Sequence, residues 1–248
     1  MSPAPEAAVD AALGAVLSSA RLWVAPGHAV YVGPSLRLDT HVGSVACLVL
    51  GLDGTVTVDV PGHSITGVRS ALVPPRLPHK ITVSGRATAF CYLEPAAAAA
   101  CRARMDDRHV IAVDHRDEDV LSGLAIRGGS LIELAVLPTD ARILAATRTL
   151  HSADGIETPA AVLAAQAGLS LSRFLHLFVE QTGTGVRSYR RWARMLIVAQ
   201  VVSRGGDLTR AAADAGFATP SHFSAAFRRM FGLTPSRLLA TGVSIAVA

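Results

Sequence analysis

The chain has 248 residues, half of them apolar and 17% charged, which is enough for one large or two ordinary domains and excludes a disordered tail. No apolar run reaches the roughly 18–20 residues that a membrane helix needs. The N-terminus has no early basic residue and carries Asp10 inside its apolar part, so it does not read as a secretory leader. A cytoplasmic protein without a membrane partner is expected. The net charge of +4 is unevenly placed: residues 1–151 hold 13 Arg/Lys against 14 Asp/Glu, whereas residues 152–248 hold 10 against 5. Basicity therefore belongs to the C-terminal part, which favours a polyanion as the partner of that part alone.

In chain order, residues 6–18 read as a short helix. Residues 21–94 are strand-like, with Val56, Val58 and Val60 alternating at period two. Turn signals recur at Pro26-Gly27, Gly33-Pro34, Asp53-Gly54, Pro61-Gly62, Pro74-Pro75 and Ser84-Gly85, the spacing of a β-sandwich or small barrel. After Glu94-Pro95 the character changes. An alanine-rich segment, then 115–127 and 139–151, read as helices, the last capped by Thr139-Asp140. The polar stretch 152–159 is the expected domain boundary. Three domain segments follow: 1–95 a β domain, 96–151 a helical linker whose apolar helices are candidates for a homodimer interface, and 152–248 an all-α domain. Cys47, Cys91 and Cys101 form no CxxC pair, so neither a disulfide framework nor a zinc finger is expected.

The C-terminal part contains a repeat. "AAQAG" (164–168) returns as "AADAG" (212–216), and Ser172, Phe174, Phe178 and Gly183 match Ser221, Phe223, Phe227 and Gly232. Each copy reads as helix, left-handed glycine, Ser/Thr cap and second helix. The aromatics four apart share one face and point inward, leaving the opposite face to be presented. Four of the seven phenylalanines fall in residues 217–231, beside Arg228 and Arg229. Between the copies, Trp192, Met195, Leu196, Ala199 and Val202 form an apolar stripe, with Arg187, Arg190, Arg191 and Arg194 on another face. A helix of about 20 residues spans roughly 30 Å, near the roughly 34 Å between major-groove segments on one side of DNA.

The segments "LAAQAGLSLSRFLHLFVEQTGTGVRSYRRWARMLIVAQVV" and "TRAAADAGFATPSHFSAAFRRMFGLTPSRL" closely resemble the DNA-binding domain of AraC/XylS-type transcription regulators. The resemblance implies two helix-turn-helix units, each placing a helix in the major groove. It gives the first recognition helix from about Ser170 to Gln181 and the second from about Thr219 to Met230. Candidate DNA contacts are Ser172, Arg173, Leu175 and His176 in the first, and Pro220, Ser221, His222, Ser224 and Ala225 in the second. Arg228 is read as a phosphate clamp. Ala225 stands where many relatives carry a long polar side chain, and Pro220 offers no side-chain hydrogen bond, so the second helix is expected to read shape and methyl groups.

The N-terminal part resembles a cupin-type sensor barrel, with "THVGSVACLVLGLDGTVTV" as its first motif and "ALVPPRLPHKI" as its second. Gly43 stands where a metal-binding cupin places a second His, and Cys47 where it places an acidic ligand. His41, Cys47 and His79 are the candidate effector-binding residues. They fit a soft metal, a metal-free small-molecule pocket, or an apolar interior with leftover polar groups. No metal or cofactor is assigned. The fold class expected is α+β multidomain: a cupin-like barrel followed by an all-α domain with two helix-turn-helix units. The function expected is a sequence-specific, effector-responsive transcription regulator on double-stranded promoter DNA, not an enzyme. A metal-dependent cupin-type enzyme with a helical appendage is the alternative, and a non-specific architectural DNA-binding protein a third reading.

Overall fold

A computed structural model describes residues 5–25, 28–107, 109–127 and 140–247. Thr139, Pro26 and Gly27, named above, lie outside them. An N-terminal helix α1 (Pro5–Ser18) precedes eight strands: β1 (Arg21–Ala25), β2 (His28–Pro34), β3 (Ala46–Gly51), β4 (Val56–Val60), β5 (His63–Val68), β6 (Ser70–Val73), β7 (Lys80–Val83) and β8 (Ala87–Leu93). Then follow α2 (Pro95–Arg102), the short β9 (Ala112–Val113), α3 (Glu118–Ile126) and α4 (Ala141–Leu150). The remaining elements are α5 (Ala160–Gln166), α6 (Leu171–Thr182), α7 (Val186–Ser203), α8 (Leu208–Asp214), α9 (Pro220–Phe231), α10 (Pro235–Leu239) and β10 (Ser244–Val247).

The strands form a seven-stranded sheet, ordered β10-β1-β2-β8-β3-β6-β9, and a three-stranded sheet, β5-β4-β7. Period-two alternation splits the larger sheet into two buried faces. Val30, Val32, Leu48, Leu50, Cys91 and Leu93 face a core shared with α1, α2 and α3. Tyr31, Cys47, Val49, Val73 and Phe90 face the opposite way, toward Val56, Val58 and Ile81 of the small sheet and onward to the helical domain. Burial on both faces explains why "ACLVLG" in β3 is continuously apolar. The β-rich N-terminal domain and helical C-terminal domain follow the expected fold class. The barrel is realised as two facing sheets.

One connection has no counterpart in the expected plan. After the last helix the chain returns to the N-terminal sheet, where β10 pairs in parallel with β1, Arg21 opposite Ser244 and Val24 opposite Val247. The helical domain is thus strapped to the β domain through its own C-terminal segment. Helix α4 also lies against the first unit: Ile143, Ala146 and Leu150 share a core with Phe174 and Phe178. Its Asp140 cap is present, accepting from the Arg142 backbone N–H at 2.9 Å.

Candidate nucleic-acid interface

Each repeat unit is built by the same devices. The α5–α6 turn carries Gly168 at φ 64°, and the α8–α9 turn carries Gly216 at φ 76°. A hydroxyl then starts the second helix. Ser170 accepts from the Arg173 N–H at 3.3 Å, and Thr219 accepts from the His222 N–H at 3.0 Å. Both second helices end in a left-handed glycine, Gly183 at φ 65° and Gly232 at φ 75°.

Aromatics fix the inner faces. Phe174 and Phe178 are fully buried, their rings 5.7 Å apart, and Phe178 meets Tyr189 of α7 edge-on. In the second unit Phe217, Phe223, Phe227 and Phe231 form a chain of rings with centroids 4.6–5.8 Å apart. That chain answers why the phenylalanines cluster: each anchors the second unit, and Phe231 extends it to Tyr92 of the β domain, edge-on at 5.0 Å. The strut α7 has 18 residues, about 27 Å at 1.5 Å per residue. Trp192, Met195 and Leu196 of the expected stripe are buried, with Ala199 and Val202 partly so.

The outward faces are open. On α6, Ser172, Arg173, Leu175 and His176 are all exposed. On α9, Pro220, Ser221, His222, Ala225 and Arg228 are exposed, and Ser224 is half-buried. Leu171, Leu175 and Val179 give α6 exposed apolar surface as well. Of the four α7 arginines, Arg187 and Arg191 are exposed. Arg190 instead donates to the Thr158 carbonyl at 2.7 Å. Arg194 pairs with Glu157 and lies 5.6 Å from the Phe217 ring centroid. These two clamp the 157–158 segment to the strut, a structural duty that spacing did not reveal.

Sequence reading also missed a docking contact on α9. The loop after β2 reaches its C-terminal turn: the Asp39 N–H donates to the Gly232 carbonyl at 2.8 Å, and the Val42 N–H to the Arg229 carbonyl at 2.9 Å. Arg228 donates to the Asp39 carboxylate at 2.7 Å through Nη2 and 3.1 Å through Nε. Arg237 donates to the Arg37 carbonyl at 3.0 Å. The contact holds the last turn of α9 and leaves its first two turns uncovered.

The two cupin-motif histidines are brought together. His41 and His79 exchange backbone hydrogen bonds of 2.9 and 3.0 Å, and their rings lie 4.2 Å apart. Each donates from Nδ1 to a nearby carbonyl, Asp39 for His41 and Leu77 for His79. Burial lowers both pKa values, that of His41 to about 4 with the neighbouring His79 adding to the effect. Cys47 does not join them: it sits on β3 opposite Val73 and Tyr92, and burial pushes its thiol pKa far up, which disfavours the thiolate a metal needs. Among the described residues no three His, Cys, Asp or Glu side chains are grouped to hold a metal ion.

A second buried polar group lies where β8 passes into α2. Burial raises the Glu94 pKa to about 7. His151 stands 3.9 Å from its carboxylate and 2.9 Å from the Tyr189 hydroxyl, and burial lowers its pKa to about 4.

A helix-turn-helix domain family matches residues 163–241, spanning both units and the strut. The C-terminal domain is an AraC-type helix-turn-helix domain. Solved structures share the whole architecture. ToxT from Vibrio cholerae O395 superposes with a TM-score of 0.56 at 11% identity, over 87% of this chain and 98% of that one. ToxT O395 bound to (E)-4-(8-methylnaphthalen-1-yl)but-3-enoic acid gives 0.52 at 12% identity, over 87% and 99%. At these identities the likeness establishes the fold. A comparison with curated proteins finds no match. The AraC-type domain sits behind a β-rich N-terminal domain. No single helix among the described residues is long and apolar enough to cross a membrane, and α5 with α6 reaches that length only as a pair bent by 90°.

Proposed function

We propose that the chain binds promoter DNA sequence-specifically through α6 and α9, in the cytoplasm, and that its N-terminal domain tunes this binding in response to a small molecule. The observation carrying the reading is the paired, capped and outward-open recognition helices on one 18-residue strut. On α6, Arg173 and His176 are the polar base-reading candidates, with Ser172 and Leu175 beside them. On α9, Pro220, Ser221, His222, Ser224 and Ala225 face the groove, and Arg228 contacts phosphate. Arginine can read guanine bidentately, whereas Ala225 and Pro220 supply shape and methyl contact.

The effector part of the proposal draws on the ligand-bound ToxT structure, whose fold this chain shares. His41 belongs to the loop that docks on Gly232, the His79 ring lies 4.2 Å from its own, and Cys47 is paired with Tyr92, so all three border the joint between the domains. A homodimer would use the surface between β8 and α4, where Val110 and Val120 stand exposed; light scattering of the purified protein tests it. The test of DNA recognition is fluorescence anisotropy on duplexes from upstream of the gene and on scrambled duplexes, at several salt concentrations. A specific regulator keeps its preference at physiological salt, and a purely electrostatic binder loses preference and affinity together.

A further inference from the structure

Between the larger sheet and the helical domain lies a cavity of about 90 Å³. Leu22, Tyr31 and Tyr92 wall it from the sheet, and Trp192, Phe227 and Leu238 from the helices. Among the described residues no Asp, Glu, His, Lys or Arg side chain lines it. The Tyr31 hydroxyl is already committed, donating to the Pro34 carbonyl at 2.9 Å. The only lysine of the chain, Lys80, sits on β7 in the other sheet.

This wall chemistry selects its occupant. A carboxylate or ammonium ion would lose its hydration there and meet no countercharge. An uncharged apolar molecule loses nothing by leaving water and gains contact with aromatic rings. The space is of the order of apolar cavities that stay dry and accept benzene or xenon. We infer that the cavity at the domain joint is a binding site for a small uncharged apolar molecule about the bulk of one aromatic ring. Its wall is complete only while the two domains are seated on each other. A bound molecule therefore favours the seated arrangement, in which Asp39 holds Arg228 and β10 holds β1. This rests on the effector reading above and gives it a ligand class at a site that His41, Cys47 and His79 do not line, and its test is read without DNA, so failure of the ligand site and failure of DNA recognition are separable.

The experiment titrates the full-length protein carrying Trp23→Phe with toluene and, separately, with benzoate of the same ring size. Trp192 is then the remaining tryptophan and lies in the cavity wall. Toluene is expected to shift Trp192 emission and raise Tm, with benzoate binding at least ten-fold more weakly. Ala199→Phe, which projects a ring into the cavity, is expected to weaken toluene binding at least ten-fold. Should that variant fail to fold, Val202→Phe occupies the same wall, and the toluene–benzoate comparison stands without either. Equal binding of the two compounds overturns the ligand class. No response to toluene, or an unchanged response in a folded cavity-filling variant, overturns the site.

Discussion

The Arg228 guanidinium lies 2.7 Å from the carboxylate of Asp39, a residue 189 positions earlier in the chain, and so ties the second recognition helix to the β domain. Both side chains stay half-exposed, 60% and 50%, and an exposed pair of this kind contributes little to stability, about 1 kcal/mol at most. Its expected effect falls on DNA binding instead, since an Arg228 that clamps a phosphate as proposed would have to leave Asp39. Asp39→Ala is expected to leave Tm nearly unchanged, to tighten DNA binding at low salt, and to steepen the salt dependence by about one phosphate contact. Unchanged affinity and slope would show that Arg228 plays no part in binding.

The two cap glycines that the repeat pairs, Gly183 and Gly232, both face the N-terminal half of the molecule. A Cβ on Gly232 would lie 2.7 Å from the Asp39 carbonyl oxygen and 2.8 Å from His41 Nδ1, and one on Gly183 would strike Pro95. Gly168, also left-handed, has open space around it. Gly168→Ala is expected to cost only the conformational penalty, about 1–2 kcal/mol. Gly232→Ala must add a steric clash with backbone and expose the joint to proteolysis. Calorimetry and limited digestion distinguish the two, and equal Tm losses would mean that the docking loop yields freely.

Phe223 is buried at the centre of its unit, between Phe217 and Phe227. Phe223→Ala is expected to destabilise the helical domain by about 3–5 kcal/mol in denaturant melts. Arg173→Ala and His176→Ala are expected to melt like the parent protein, since both side chains are exposed. Each is expected to lower the preference for target over scrambled duplex, by about 1–3 kcal/mol where the lost contact was bidentate. Normal discrimination in both variants would place another face of α6 toward DNA.

Glu94 makes stability depend on pH in an unusual direction. Its pKa rises from 4.5 to about 7 on folding, so the folded state holds a proton that the unfolded state has lost between these values. Stability from this group is full below pH 4.5 and falls as pH rises through 7, by about 3 kcal/mol in all. His151 acts oppositely, losing stability as pH drops from 6.5 toward 4. Glu94→Gln is expected to gain stability relative to the parent as pH is raised from 5.5 to 8, measured by urea melts. A constant difference across that range would show that Glu94 is ionised throughout.

The helical domain was readable because its determinants are local. Glycines at fixed offsets, hydroxyl caps and phenylalanines four apart each encode one turn or one face, and all appear where the repeat places them. In the β domain, alternation and turn residues announced strands, and the continuous apolar run 42–52 marked β3 as a buried one, but nothing told which elements would cover its two faces. The joint was not readable. Asp39 and Arg228 carry no mark of each other, and backbone bonds such as Asp39 to Gly232 leave no side-chain signature. β10 was missed although "SIAV" has strand character, because one short apolar run does not say which edge it will join. Arg190 and Arg194 looked like free cations and are clamps, since their partners Thr158 and Glu157 lie in a stretch taken for a plain boundary.

One protomer is expected to seat α6 and α9 in adjacent major-groove segments of the same duplex. Hydroxyl-radical footprinting on the best-bound upstream fragment measures this. Two protected stretches about one helical turn apart are predicted, one weakened by Arg173→Ala and the other by His222→Ala. A single protected stretch, insensitive to substitutions in one of the two helices, would contradict it.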